Sequence, residues 1–248
     1  FFTAVSMLIA VPSAIQIFCW LATLWTGRLV FRTPLLFTLA FFFILVLGFF
    51  VILVLGGLTG IMLAAVPLDL QVHDTYFVVA HLHYVLIGGA VFPLFGAFYY
   101  WFPKITGKMM SERLGRWNFW LFLIGFNVTF FFQFLVGLDG MPRRIADYQI
   151  QRWASANLLS SLGAFLMAVS VLVFLWNFLV SIRRGQPAGD DPWEGNSLEW
   201  ATSSPPPSHN FHHLPEVHSE RPTFDYRHRH DPAFASHHTD PERRPDRG

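Results

Sequence analysis

Long apolar runs separated by short polar loops make up the first three quarters of the chain. Five runs are long enough to cross a bilayer, which takes about 20 helical residues: about 1–26, 35–66, 75–102, 117–137 and 153–182. Backbone polar groups in hydrocarbon must be satisfied within the protein, so these runs predict helices. We therefore predict an all-α, polytopic transmembrane helical bundle over residues 1–184.

The pattern changes near residue 185. Residues 1–184 carry 11 Lys/Arg and 5 Asp/Glu, whereas the last 64 residues carry 6 and 11, with eight of the 11 histidines. A segment this polar and proline-rich cannot bury a core, so residues 185–248 are predicted to form a largely disordered Pro/His-rich tail. Histidine-rich tracts can bind metal, but the irregular spacing here favours disorder over a specific site.

Charges in the loops predict the orientation. Eight Lys/Arg follow the first, third and fifth runs, and three lie on the other side. The positive-inside rule therefore places the first set and the C-terminal tail in the cytoplasm. The chain begins without Met inside an apolar run, which we interpret as the C-terminal part of a longer protein. Cys19 is the single cysteine, which excludes a disulfide framework and a thiolate metal site within this chain.

Two histidines, His81 and His83, lie inside the third run. An imidazole in the hydrocarbon region is costly, and its default interpretation is functional. Positions i and i+2 of a helix lie about 200° apart, so the rings suit two separate large cofactors better than one shared ion. A single histidine there is more often a hydrogen-bonded core residue, but the second histidine and a His-Asp pair at the helix start favour function.

Polar residues cluster just before the third run, on the predicted outer side. His73 and Asp74 are adjacent, and an imidazole beside a carboxylate at a wet interface suits magnesium or manganese. Asp74 could also cap the following helix, and both roles are compatible. Asp69 lies close by in the same loop. We therefore interpret this loop as a candidate divalent-metal site.

Arg143 and Arg144 follow the fourth run on the predicted outer side, where the positive-inside rule disfavours them. Guanidinium groups pair well with carboxylates, so compensating carboxylates are expected. These could be haem propionates at the membrane edge, or Asp139 or Asp147 in an ordinary ion pair. The residues alone leave the two interpretations equal.

Several motifs resemble one family in order and spacing. His-Asp-Thr-Tyr-Phe-Val-Val-Ala-His-Leu-His-Tyr at 73–84 resembles the tenth-helix signature of subunit I of haem–copper cytochrome c oxidases. Gly-Gly-Leu-Thr-Gly at 56–60 resembles the preceding helix of that family. Asn-Val-Thr-Phe-Phe at 127–131 and Gly-Leu-Asp-Gly-Met-Pro-Arg-Arg at 137–144 resemble the segments that follow. The resemblance runs collinearly from residue 1 to about 207.

The resemblance implies a role for each candidate residue. His81 would be the proximal ligand of the high-spin, oxygen-reducing haem, and His83 would be one axial ligand of the low-spin haem. His73 and Asp74 would ligate the magnesium between this subunit and subunit II. The residues that would hold haem propionates and nearby water, or lie beside them, are Asp69, Tyr76, Arg143 and Arg144.

The same resemblance implies the C-terminal part of a twelve-helix catalytic subunit. The long tail and the Ser203-Ser204-Pro205 region favour a bacterial inner membrane. Electrons would pass from cytochrome c through subunit II to the low-spin haem, then to the high-spin haem and copper. Oxygen would be reduced to water there, coupled to proton translocation. The implied cofactors are two haem A groups, copper held by residues outside this chain, and magnesium or manganese. The implied partners are subunits II and III, cytochrome c and lipid, with no nucleic acid.

The sequence also departs from the family pattern. Leu82 stands where an aromatic residue is frequent, and Phe132 and Phe134 stand where the family has Pro and His. In the first run the family has a lysine that feeds protons to the active site, and this chain has Gln16. Glutamine cannot titrate but can hydrogen-bond water. Retention of proton delivery along this route, and of pumping, is therefore open.

Three alternatives to the cytochrome c oxidase interpretation make different predictions. A quinol oxidase of the same superfamily would share the haem ligands, but that branch tends to have Asn after the first His and to lack the Pro of Met-Pro-Arg-Arg. A polytopic metal transporter with a His-rich tail would bind zinc and show no visible absorption. A structural membrane subunit without a cofactor would leave His81 and His83 unexplained.

Overall fold

The computed structural model describes residues 1–45, 57–148, 150–212, 217 and 219–228. Its regular elements are helices, with isolated β-bridges between loops. They are α1 (Phe2–Leu8), α2 (Ala10–Thr26), α3 (Thr33–Leu45), α4 (Gly57–Ala64), α5 (Val66–Val72), α6 (Tyr76–Leu86), α7 (Phe92–Thr106), α8 (Glu112–Leu138), α9 (Arg152–Arg184) and α10 (Pro222–His228), with a π-helical turn at Ile87–Val91 and a 3-10 turn at Leu198–Ala201.

Among the residues that the structure describes, four helical stretches are long and apolar enough to cross a membrane: Thr3–Thr26, Tyr76–Thr106, Glu112–Leu138 and Arg152–Arg184. They correspond to the first, third, fourth and fifth predicted runs, and the all-helical membrane class is confirmed. The second predicted run, 35–66, is described only at its two ends, as parts of α3 and α4. The segment between these ends lies outside the described residues, so a fifth span stays a prediction.

The chain divides into two compact units. The first comprises Phe1–Tyr100 with Ser111–Val180, and the second comprises Trp101–Met110 with Ser181–Gly248. All the candidate site residues belong to the first unit. The second unit contains the end of α7, the end of α9 and the tail.

Aromatic side chains fill the core of the first unit, where α6, the π-helical turn and α7 pack against α3 and α8. Edge-to-face and tilted ring pairs dominate, with centroids about 5–6 Å apart, an arrangement that the ring quadrupoles favour. These rings are nearly or fully buried: Phe37, Phe77, Tyr84, Phe92, Phe119, Phe122, Phe126, Phe130 and Phe134. The packing fixes α6 against α8.

The π-helical turn between α6 and α7 has an identifiable cause. Pro93 has no N–H, and its ring would clash with the carbonyl four residues earlier in a regular helix. The helix widens over Ile87–Val91 to accommodate it. Gly88 of this turn lies against α3, where an added Cβ would come within 2.4 Å of Ile44 Cγ2. The turn therefore lets α3 approach without breaking the continuous stretch that carries the two histidines.

The second unit is held by polar contacts. Met109 N donates to Gln186 O at 2.8 Å, and Ala188 N donates to Gly107 O at 2.9 Å. Further along, Arg227 forms an ion pair with Asp191. These contacts concern only the described residues of the segment after 184. The predicted disorder of the tail as a whole stays a prediction.

Candidate functional site

Helix α6 carries both candidate histidines, and Thr75 starts it. Thr75 has extended backbone angles (φ −98°, ψ 174°), its Oγ1 accepts from Phe77 N at 3.2 Å, and it donates to Val72 O at 2.6 Å. The sequence suggested Asp74 as the cap, and this was wrong. Asp74 is in the left-handed region (φ 57°) one residue too early, and its carboxylate is engaged elsewhere.

His81 lies against α4. Its Nδ1 is 2.8 Å from Thr59 Oγ1. The next residue of α4, Gly60, passes so close that an added Cβ would lie 3.2 Å from His81 Cε1. The ring is half-buried. One edge of the His81 ring therefore contacts α4, through the hydroxyl of Thr59 and the backbone of Gly60.

His83 lies against α8. Its ring stacks on Phe130 with centroids 4.2 Å apart and an interplanar angle of 16°. Its Nδ1 is 2.7 Å from the carbonyl oxygen of Val79, one turn earlier in α6. A carbonyl can only accept, so Nδ1 carries the proton and the Nε2 lone pair is left as the ligand atom. The two histidines face different helices, as the i,i+2 spacing predicts.

The loops before α6 and after α8 pair with each other. Tyr76 N donates to Met141 O at 3.0 Å, Arg143 N donates to Asp74 O at 2.8 Å, and a β-bridge joins Thr75 to Pro142. We call residues 73–76 and 141–143 the paired loops. Gly137 permits their approach, because a Cβ there would overlap the backbone of Phe77. Two constellations about 70 residues apart in sequence are therefore brought together.

Three charged or polar side chains meet at the paired loops. Arg143 Nη2 donates to Asp74 Oδ1, and His73 Nε2 lies 3.3 Å from Asp74 Oδ2. Asp74 and His73 are more than half exposed, whereas Arg143 is only 27% exposed. The buried Nε of Arg143 has no hydrogen-bond partner among the described residues. A buried donor without a hydrogen bond is energetically costly, which indicates an acceptor that the described residues do not supply.

The contacts of the two neighbouring carboxylates correct the interpretation in which Asp139 or Asp147 is the partner of Arg143. Asp139 pairs with Arg152 (Nε to Oδ2 2.5 Å) and accepts from Trp153 Nε1 at 2.6 Å. Asp147 accepts from the backbone of Tyr148. Neither carboxylate is the partner of Arg143, which pairs with Asp74 instead.

The remaining candidates lie around the paired loops. Arg144 is exposed, with a left-handed backbone (φ 63°). Asp69 is in the first turn of α5, where the helix dipole favours a carboxylate, and is half-buried. Tyr76 packs against the cluster of Val136, Met141 and Trp153. Among the described residues no group of three or more His, Cys, Asp or Glu could hold a metal ion, so His73 and Asp74 supply only two donors.

Sequence reasoning missed the groups that orient the histidines. Thr59, the carbonyl of Val79 and the ring of Phe130 were not singled out as contacts of His81 or His83. Thr59 lies in the Gly-Leu-Thr-Gly motif, so a signal existed for it. Pairing of an intrahelical carbonyl with a histidine four residues on follows from helix geometry and could also have been anticipated.

Comparisons with known proteins agree with the motifs. A model of the family described as Cytochrome C and Quinol oxidase polypeptide I matches residues 1–166. The protein named "Probable cytochrome c oxidase subunit 1-beta" of Nocardia farcinica is 48% identical over 233 residues, 93% of this chain and 38% of that protein. "Cytochrome c oxidase subunit 1" of Corynebacterium diphtheriae is 48% identical over 233 residues, 93% of this chain and 40% of that protein. The chain thus spans about two fifths of the length of these relatives.

A solved structure shares the fold. It is a cryo-EM structure of a haem–copper terminal oxidase dimer, with a TM-score of 0.51 and 20% sequence identity. The match covers 72% of this chain and 33% of that one.

Proposed function

Because the chain belongs to the family of cytochrome c and quinol oxidase polypeptide I, we propose that it forms part of the catalytic subunit of a cytochrome c oxidase. One observation carries the proposal. Helix α6 presents His81 to α4 and His83 to α8, and a neighbour engages the Nδ1 of each ring. An oriented imidazole with Nε2 as donor is the usual haem ligand.

In this proposal His81 is the axial ligand of a high-spin haem and His83 is one axial ligand of a low-spin haem. The chain's own geometry fits this use. Gly60 keeps α4 clear of the His81 ring, and Val79 fixes the tautomer of His83. When bound, the haems and a copper ion supply electron transfer and the reduction of oxygen to water. The residues of this chain bind and orient the haems and separate them on two sides of one helix.

The paired loops would hold the polar edge of the haems. The orphaned Nε of Arg143 needs an acceptor, and a propionate carboxylate has the right charge and geometry. Arg144 is exposed beside it and supplies a second guanidinium. Asp69 would order water near the propionates, and Tyr76 would lie beside them.

A magnesium or manganese ion would sit at His73 and Asp74. The donor atoms His73 Nε2 and Asp74 Oδ2 are 3.3 Å apart, close to the ~3.0 Å expected between adjacent ligands of an octahedral ion bound at ~2.1 Å. Two donors do not complete six-fold coordination, so the other ligands would be waters and groups of subunit II. Arg143, already paired with Asp74, would balance the carboxylate charge on the other side.

The whole assembly would take electrons from cytochrome c through subunit II, with subunit III as a further partner, and couple oxygen reduction to proton translocation. Haem A would occupy both haem sites, and the copper ligands would lie outside this chain. The complex would reside in a bacterial inner membrane with the tail in the cytoplasm. The excess of Lys/Arg at the loops on the tail side supports this orientation.

A quinol oxidase is the second candidate, because the matching family includes both classes. The Asp after His73 and the Pro before Arg143 favour the cytochrome c class. The two candidates differ in the electron donor and not in the geometry of α6.

The test is oxygen consumption by the purified complex with reduced cytochrome c or a quinol as the sole donor, together with a reduced-minus-oxidised visible spectrum. We expect a haem A spectrum and turnover with cytochrome c. Turnover with quinol alone would transfer the proposal to the second candidate. A complex without haem absorption that binds zinc would refute both and support a transporter.

A further inference from the structure

Helix α4 touches the His81 ring at two neighbouring points. The hydroxyl oxygen of Thr59 lies 2.8 Å from Nδ1. The backbone of Gly60 lies against Cε1, and a Cβ added to Gly60 would be 3.2 Å from that atom. Thr59 is 3% exposed. Thr59 therefore contributes a polar contact to one edge of the imidazole, and Gly60, which has no side chain, leaves room for that edge.

We propose that Thr59 is a positioning residue for His81: when His81 binds iron through Nε2, the Thr59 hydroxyl oxygen accepts a hydrogen bond from Nδ1–H, orients the ring, and sets how strongly Nε2 donates to a haem iron. The proposal rests on the proposed function, because it needs His81 to be a haem ligand. A ligand imidazole bound through Nε2 must carry its proton on Nδ1. An acceptor on that proton raises the basicity of the ligand and fixes the ring plane.

The contact of Thr59 with a different helix supports this role. Threonine hydroxyls in helices commonly bond back to the carbonyl four residues earlier. In this chain Thr38 bonds to Pro34 O at 3.0 Å and Thr129 bonds to Gly125 O at 2.7 Å. The Thr59 hydroxyl oxygen contacts a histidine 22 residues further along the chain, on another helix.

The Nδ1 contacts of the two histidines differ, and only the contact of His81 is with a side chain that a substitution can remove. His83 uses the main-chain carbonyl of Val79, which no substitution removes. His81 Nδ1 has a side-chain hydroxyl within hydrogen-bond distance. Substitution of Thr59 should alter the site of His81 and leave that of His83 unchanged, whereas a general packing defect in α4 would not discriminate.

The experiment compares Thr59→Val, Thr59→Ala and Thr59→Ser with wild type in the full oxidase complex. Thr59→Val has nearly the same shape without the hydroxyl, and Thr59→Ser retains the hydroxyl. Thr38→Val is the matched control, since it removes a hydroxyl that bonds within its own helix. The readouts are the iron–histidine stretching band of the reduced high-spin haem in resonance Raman spectra and the occupancy of each haem.

We expect the band to move to lower frequency in Thr59→Val and Thr59→Ala, and to stay at the wild-type frequency in Thr59→Ser and Thr38→Val. Loss of an outer hydrogen-bond partner typically weakens metal-site binding about 10–100-fold, so selective loss of the high-spin haem in Thr59→Val and Thr59→Ala would also support the proposal.

An unchanged band in Thr59→Val or Thr59→Ala overturns the proposal while the haem assignment stands. Equal loss of both haems in all three Thr59 variants also overturns it, because the defect is then not that of a missing hydroxyl. A wild-type complex without an iron–histidine band defeats the proposed function itself, and with it this inference.

Discussion

Replacement of Lys104 by methionine tests what holds the segment after α9 to the end of α7. Lys104 is only 6% exposed. Its Nζ donates to Asp190 O at 2.9 Å, Thr202 O at 2.7 Å and Ser203 O at 3.4 Å. It also lies 5.1 Å from the ring centroid of Trp200, within range of a cation–π interaction. One ammonium group thus joins three points of the segment.

The size of the effect follows from these contacts. A hydrogen bond with one charged partner contributes about 1.5–3 kcal/mol, and Lys104 makes two at ordinary length. Part of this gain is cancelled by burial of the ammonium group. Methionine keeps most of the apolar stem but none of the donors. We therefore expect Lys104→Met to weaken docking of the segment by about 2–4 kcal/mol, which is about 30- to 1000-fold in the local opening constant.

Hydrogen exchange of peptides covering 186–204, followed by mass spectrometry, measures this opening directly. Lys108→Met is the matched control. Lys108 also donates to two carbonyls, Ile182 O at 2.6 Å and Arg183 O at 3.2 Å, but these bonds are exposed. Exchange should accelerate strongly in Lys104→Met and little in Lys108→Met. Equal exchange in Lys104→Met and wild type would refute the reasoning that the buried ammonium anchors the segment.

Three further predictions concern the membrane helices and the paired loops. Asp74→Ala should weaken manganese bound at the paired loops, because it removes a hard oxygen ligand; the same nitrogen-coupled electron paramagnetic signal in a His73→Ala, Asp74→Ala double variant would contradict the assignment. Gln16→Leu should slow reduction of the high-spin haem in stopped-flow measurements by removing a water-ordering amide, with Gln16→Lys at least as fast as wild type; wild-type speed in Gln16→Leu would exclude this position from proton delivery. Asn118→Leu should lower the stability of the complex to SDS by about 1–2 kcal/mol, because buried Asn118 bonds Ser170 (Oγ 2.8 Å) and Tyr99 (3.2 Å); an unchanged SDS midpoint would show that these bonds contribute nothing net.

Much of the architecture could be predicted from the sequence because the membrane leaves few choices. An apolar run long enough to span the membrane must be helical, and four of the five predicted runs are helices long and apolar enough to do so. The divergence of His81 and His83 follows from helix geometry alone. The resemblance of the 73–84 segment was sufficient to identify the family before any contact was known.

The partners of individual side chains could not be predicted in the same way. The N-cap of α6 is Thr75 and not the predicted Asp74. Which of the two adjacent residues caps the helix depends on their backbone angles, and tertiary contacts set those angles. Arg143 pairs with Asp74 and not with Asp139 or Asp147, which are nearer in sequence. The reason is that the paired loops bring together segments that are distant in sequence. The contact of Thr59 with His81 likewise depends on how α4 lies against α6.

On the proposed function, α6 binds two different haems, one on each side. The most direct test of this claim is the quantity and spin state of haem in purified wild type, His81→Ala and His83→Ala complexes, measured by extraction and by reduced-minus-oxidised spectra. We predict that His81→Ala loses the high-spin haem and keeps the low-spin haem, and that His83→Ala shows the reverse. Full loading of both haem sites in either variant would contradict the assignment of that histidine.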